Sequence, residues 1–166
     1  AFEPVLTANI HKEDSHTLKV YEAGGGYRAL KRAVKEMEPK ELVDMVRASN
    51  LRGRGGAGFP TGLKWKFAAA SPGDVKYVLC NADEGDPGAF MDRMILESFP
   101  YRVIEGMSIA ARAVGATEGY FYIRAEYPEA VRRITEAIRR CRERGLLGDS
   151  ILGSEFNLHL AVKQGA

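Results

Sequence analysis

The second half of the chain alternates short apolar runs with apolar residues at helical spacing, and this alternation restricts the fold more than any other feature. Residues 76–82, Lys-Tyr-Val-Leu-Cys-Asn-Ala, are short and apolar between the turn signal Ser71-Pro72-Gly73-Asp74 and a polar loop, and read as a buried strand. The polar loop spans 83–88, and a helix is expected near 90–97. Pro100 then opens a longer helix in which Val103, Ile104, Met107, Ala110, Ala111 and Val114 recur at helical spacing, until Gly115 ends it. Residues 119–124 form a second strand. Pro128 starts a helix whose Val131, Ile134, Ile138 and Cys141 fall three, four and three residues apart, with Gly145 as its cap. A last strand is expected over 156–162. Strand, helix, strand, helix, strand predicts an α/β fold with a Rossmann-like parallel sheet and flanking helices. Ligands of such sheets gather outside the carboxyl ends of the strands, where the 83–88 loop lies.

The first half is less regular. Residues 1–25 show no periodicity and end in Gly24-Gly25-Gly26, so they read as an arm. His11 and His16, with Glu13 and Asp14 between them, lack the further ligands that a four-coordinate metal needs and read as a surface loop. Two short helices follow, one over 27–37 with Leu30, Ala33 and Val34 on one side, the next from Pro39 to about Ala48. The arm and these helices make up residues 1–50, and the Rossmann-like part occupies 51–166. A helical turn is expected over 63–70.

With 166 residues the chain suits one domain with a core of its own. Its 24 basic and 22 acidic residues leave a net charge of +2, too balanced for a nucleic-acid footprint. The one basic cluster, running from Arg132 to Arg144, shares a helix with apolar residues and reads as a solvated surface. Cys80 and Cys141 stand far apart in predicted buried elements, and two thiolates do not make the ligand set of an iron–sulfur cluster. Unpaired cysteines suit a reduced, cytoplasmic compartment. No apolar run approaches the roughly 20 residues that span a bilayer.

Two loops carry the chemistry. The first reads Leu51-Arg-Gly-Arg-Gly-Gly-Ala-Gly-Phe-Pro-Thr-Gly-Leu-Lys-Trp65. Its glycines allow positive φ and close approach of a ligand to the backbone, and exposed N–H groups in such a loop make an anion-binding nest. Arg54 and Lys64 add full charges. Gly53, Gly55 and Gly58 satisfy G-x-G-x-x-G, but a helix rather than a strand precedes them, which breaks the dinucleotide fingerprint. Leu63 stands where a phosphate-binding P-loop requires Lys, which argues against an ATPase. The interleaved Phe59, Pro60, Trp65 and Phe67 distinguish the segment from a flexible linker.

The second loop reads Cys80-Asn-Ala-Asp-Glu-Gly-Asp-Pro-Gly-Ala-Phe-Met-Asp-Arg93. Asn81, Asp83, Glu84 and Asp86 crowd the end of an apolar strand, where they could hydrogen-bond a flavin edge or ribose hydroxyls. Paired carboxylates also suit glycoside hydrolysis or a magnesium site, and an acidic surface turn is the plainest reading. Residue chemistry alone leaves these open.

Taken together, the two loops resemble, nearly residue for residue, the flavin-carrying NADH-oxidising subunit of respiratory complex I and the diaphorase-type subunits of NAD(P)-linked hydrogenases and formate dehydrogenases. The resemblance extends to Gly25-Gly26-Tyr27, Ile104-Glu105-Gly106-Met107, Tyr122-Ile123-Arg124-Ala125-Glu126-Tyr127 and residues 145–156. It implies FMN as cofactor, with Gly53, Arg54, Gly55, Gly56, Lys64, Asn81, Asp83 and Glu84 lining the flavin. NAD(H) or NADP(H) would meet Phe59, Phe67 and Lys64, and Asp86, which stands where the family often has glutamate. In the family, hydride passes from nicotinamide to flavin N5 and electrons leave singly to iron–sulfur clusters, with no protein acid or base. The implied partners are iron–sulfur subunits of a multi-subunit oxidoreductase on the cytoplasmic side, touching membrane only through that complex and binding no nucleic acid. The family continues beyond a Gly-Ala pair like Gly165-Ala166 into further nucleotide loops and a helical domain with a four-iron four-sulfur cluster. The expectation for these 166 residues is therefore part of the flavin pocket, with poor FMN retention and little NADH oxidation in isolation.

Overall fold

The structure, a computed structural model, describes residues 3–165. Helices α1 (Leu18–Ala23), α2 (Arg28–Lys35), α3 (Pro39–Ala48) and α4 (Thr61–Ala70) precede the first strand, β1 (Tyr77–Ala82). Then come α5 (Met91–Ser98), α6 (Pro100–Val114), β2 (Glu118–Arg124), α7 (Pro128–Glu143), a 3-10 turn at Ile151–Gly153 and β3 (His159–Gly165). The strands form one three-stranded parallel sheet in the order β1-β2-β3, with Leu79 opposite Tyr120 and Tyr120 opposite Ala161. This is the α/β architecture expected from the alternation.

The local reasons are those visible in the residues. Proline occupies the first turn of α3, α6 and α7, where its missing N–H costs nothing. Gly115 closes α6 in the left-handed region at φ 78°, its N–H donating to Ala111 O at 2.9 Å. Ile104 and Ala111 of α6, Ile134 and Cys141 of α7, Phe121 and Ile123 of β2 and Leu160 of β3 are buried together in one core. Each large side chain so buried contributes about 1.5–3 kcal/mol. Gly119 is small because a Cβ there would lie 2.6 Å from Val78 Cγ2 and 2.7 Å from Leu160 Cδ2.

Three expectations need correction. The arm contains a helix, α1, whose Leu18 and Tyr21 pack against the core, and Arg102 Nη1 donates to Val5 O at 2.8 Å to hold the segment before it. Six residues carry too little periodicity for that helix to be read. The last strand begins at His159, because Phe156 is buried ahead of it beside the 3-10 turn. Third, β1 is not a buried strand. Val78, Cys80 and Ala82 face the helices, while Tyr77 and Leu79 are 57% and 65% exposed. On the same side of the sheet Ala161 is exposed and Tyr122 is 37% exposed, so among the described residues this face lacks a covering layer. Parallel sheets ordinarily have both faces covered.

Candidate functional site

The glycine loop is a pinched projection. Gly53 N–H donates to Phe59 O and Thr61 N–H to Leu51 O, each at 2.9 Å, across an antiparallel bridge between Arg52 and Pro60. The Arg52 guanidinium donates to Gly58 O at 2.9 Å and ties the two sides. Gly56 (φ 105°) and Gly58 (φ 61°) adopt backbone conformations that other residues rarely do. Gly55 differs: its φ lies outside the left-handed region, and an added Cβ would meet nothing within 4 Å. Gly53 likewise has ordinary room, its nearest neighbour being Phe59 O at 3.6 Å. Nothing in the chain's own packing requires glycine at these two positions.

Helix α4 begins at Thr61, two residues earlier than expected, so Gly62 is helical. It presents Lys64 and Phe67 three residues apart, hence on one face. Both are exposed, as are Arg54 and Phe59, the two phenyl rings at 57% and 46%. The turn from α4 into β1 is closed by Lys76 Nζ, which donates to Ala69 O at 2.6 Å.

The acidic loop leaves the carboxyl end of β1. Asn81 Oδ1 accepts from Asp83 N–H at 3.1 Å, a turn that starts the loop. Glu84 is held on both oxygens, by Asp92 N–H at 2.7 Å in the first turn of α5 and by Tyr127 O–H at 3.1 Å. Tyr127 O–H also reaches Ala89 O at 3.2 Å, and Arg124 Nη1 donates to Glu84 O at 2.7 Å while pairing with Glu126 at 2.8 Å. Arg93 and Arg124 lie 5.6 and 5.8 Å from the centre of the Tyr127 ring. Burial, and then the Glu84 charge, push the Asp92 carboxyl above its ordinary value. Asp83 extends over the end of β3, where a Cβ on Gly165 would lie 2.9 Å from its Oδ1. Asp83 and Asp86 are exposed.

The structure thus gathers Asn81, Asp83 and Glu84 at the carboxyl edge of the sheet and gathers Gly53, Arg54, Gly55, Gly56 and Phe59 on the projecting loop beside Lys64 and Phe67 on α4. Among the described residues no hydrogen bond or ion pair joins the two groups. A minor cavity of about 140 Å³ under the glycine loop is lined by Asn50, Leu51 and Pro60, and the larger cleft lies elsewhere, between the arm and α7. Apart from the half-buried Glu84, the candidate side chains are exposed, so the site is open to solvent. Arg124 and Tyr127, which the sequence marks only as part of the 122–127 stretch of the resemblance, fix the acidic loop; a charged residue closing an otherwise apolar strand is the signal for Arg124.

A parallel α/β sheet bearing polar loops at its carboxyl edge, with an exposed glycine-rich loop opening a preceding helix, places those loops where ligands of such sheets gather. The chain belongs to the Nuo51 FMN-binding domain family, which matches over residues 46–166. It is 54% identical over 165 residues to an NADH-quinone oxidoreductase subunit of Rhizobium meliloti (strain 1021), covering 99% of this chain and 39% of that protein. It is 51% identical over 162 residues to the NADP-reducing hydrogenase subunit HndC of Solidesulfovibrio fructosivorans, covering 98% of this chain and 33% of that one. Among solved structures, an NAD+-reducing [NiFe]-hydrogenase in the H2-reduced state superposes with a TM-score of 0.69 at 36% identity, over 78% of this chain and 22% of that chain. The chain therefore spans two fifths or less of these curated relatives. No helix among the described residues is long and apolar enough to cross a membrane.

Proposed function

We propose that this chain forms one wall of an FMN site in an NAD(P)H-oxidising flavoprotein subunit of the complex I, hydrogenase or formate dehydrogenase type. The observation that carries the reading is Gly55, a glycine that neither backbone angle nor packing explains, on an exposed loop beside Arg54. A backbone left bare in open space leaves room for a flat ring and a phosphate to approach. The donor set fits FMN as well: N–H groups of Arg54, Gly55 and Gly56 with the Lys64 ammonium suit the phosphate, Gly53 leaves the backbone open to a ligand while its own N–H holds the loop on Phe59 O, and Asn81, Asp83 and Glu84 suit the polar ring edge and ribityl hydroxyls. Phe59 and Phe67 offer stacking surface to a dinucleotide, and Asp86 an acceptor for its hydroxyls.

Bound FMN supplies hydride acceptance and single-electron release. This chain's part would be to bind and orient: the glycine loop would hold the anionic end of the cofactor, and Glu84, clamped by Tyr127 and Asp92 N–H, would offer it a carboxylate that does not move. No side chain here acts as acid or base. Iron–sulfur subunits as electron acceptors, and a cytoplasmic station peripheral to the membrane, belong to the same proposal.

Titrating FMN with the protein and following flavin fluorescence tests it. The expected result is weak but saturable quenching, competed by neither ADP nor pyrophosphate alone at equal concentration. Gly55→Leu should weaken it at least about tenfold, the equivalent of 1.4 kcal/mol, with an unchanged urea midpoint. Equal competition by pyrophosphate would favour a general anion-binding module, and unchanged FMN affinity in Gly55→Leu would defeat the flavin reading.

A further inference from the structure

Two features that sequence left as separate and unremarkable, the His16 arm and the arginine run of α7, meet in the structure. Between them runs a cleft of about 530 Å³ with Tyr101 at its base. Its walls carry five cations, Lys19 from α1 and Arg132, Arg133, Arg140 and Arg144 from the α7 side. Three carboxylates share it, Glu22, Glu136 and Glu143.

The carboxylates do not neutralise the cations one for one. Glu136 accepts from Arg140 Nε at 2.8 Å and from Arg139 at 2.7 Å, and Arg139, which does not line the cleft, also pairs with Glu143, so both of these cleft carboxylates are shared with a cation outside it. Glu129 serves both Arg132 at 2.7 Å and Arg133 at 2.6 Å. Donors are left over. Arg140 bonds through Nε alone, Arg144 through Nη2 alone to Glu22 at 3.2 Å, and Lys19 Nζ makes no hydrogen bond among the described residues. His16 responds to this field: burial, then the Arg133 charge, lower its pKa from the ordinary imidazole value.

The shape of the surplus points to the occupant. From Arg132 to Arg144 is twelve residues, about 18 Å along a helix axis. The cleft cations on the α7 side fall in two groups along that length, Arg132 and Arg133 toward one end and Arg140 and Arg144, a turn apart, toward the other, so one phosphate group does not engage them together. An extended peptide rises about 3.3 Å per residue and covers the cleft in roughly five or six residues. We propose that the cleft between α1 and α7 is a docking groove for an extended acidic segment of a partner chain. It is separate from the flavin wall, and neither proposal depends on the other.

A fluorescein-labelled hexaglutamate peptide serves as probe, with hexaglutamine as control and anisotropy as readout on the full 166-residue chain. The groove predicts saturable binding of hexaglutamate alone, weakening severalfold between about 50 and 200 mM salt as screening shortens the reach of the charges. The imidazole NMR signals of His16 should move on binding while those of His11 and His159 stay. Arg140→Glu with Arg144→Glu should weaken binding at least about tenfold, or 1.4 kcal/mol. Lys19→Glu should weaken it too, and removes no hydrogen bond of the described structure, so it separates lost charge from lost folding; Lys31→Glu on α2 should have no effect. Binding unchanged by Lys19→Glu, a His16 signal that stays still, no saturable binding at low salt, or tripolyphosphate displacing the peptide at equal concentration would each overturn the proposal.

Discussion

Gly62 sits where α4 starts against the end of α3, and a Cβ there would lie 2.4 Å from Arg47 N and 2.7 Å from Arg47 Cα. Backbone atoms cannot swing aside as a side-chain tip does, so Gly62→Ala must push the two helices apart. Overpacking of this kind costs about 1–3 kcal/mol, and a lowered urea midpoint with an unchanged slope is the expected result. The contrast with Gly55, seven residues away and free of neighbours, assigns different work to glycines that look alike in the sequence. The 51–65 segment is therefore legible as a ligand loop from composition, but which of its glycines serve packing, backbone angle or ligand is not. That distinction depends on which backbone crosses which, and Arg47 is remote from the loop's own pattern. Glu84 makes the same point from the other side. Its place among the acidic residues is readable, whereas the Tyr127 hydroxyl that holds it comes from beyond the next strand.

At the scale of elements, helices α6 and α7 announce themselves because proline opens them, glycine follows them and their apolar residues keep a long helical period. The arm does not, because its order depends on distant partners, among them one buried carboxylate that joins α1 to the start of α2. Glu105 of α6, 6% exposed, accepts from Tyr27 N–H at 3.0 Å, from Leu30 N–H at 2.9 Å and from the Tyr21 hydroxyl. Two of these donors are N–H groups that the first turn of α2 leaves without intrahelical partners, so Glu105 serves as a cap supplied from another helix. Tyr27, which precedes α2 in the left-handed region at φ 65°, is held there by that bond and by its hydroxyl on Cys141 Sγ at 3.0 Å. Glu105→Leu would strand two buried N–H groups at roughly 1–3 kcal/mol each. The expected outcome is a loss of about 2–6 kcal/mol in urea unfolding. It should be accompanied by fast amide exchange across residues 18–30 while α7 stays protected; uniform loss of protection in α7 would deny Glu105 its local role.

Across the whole molecule the notable asymmetry is that the sheet has one dry face and one wet one. The run from Tyr77 to Cys80 is apolar at every position, which suggests burial on both sides, and only the packing of helices on one side decides which half of the strand is covered. Tyr77, Leu79 and Tyr122 then stand in water on a surface of parallel-strand chemistry, next to the exposed Val75. Contiguous apolar surface of this sort drives association. Strand β1 is also an edge, with a row of unpaired backbone groups open to another chain. The chain alone should accordingly bind a solvatochromic dye such as ANS in its native state and sediment with a mass that rises with concentration. Leu79→Lys places a charge at the most exposed of these positions, 65% accessible, without touching the core that Val78 and Cys80 join. It should reduce both dye binding and association while shifting stability by less than about 0.5 kcal/mol. If Leu79→Lys instead lowers the unfolding midpoint as a core substitution would, then Leu79 is packed in solution and the face is closed; if association persists undiminished, contact runs through some other surface of the molecule.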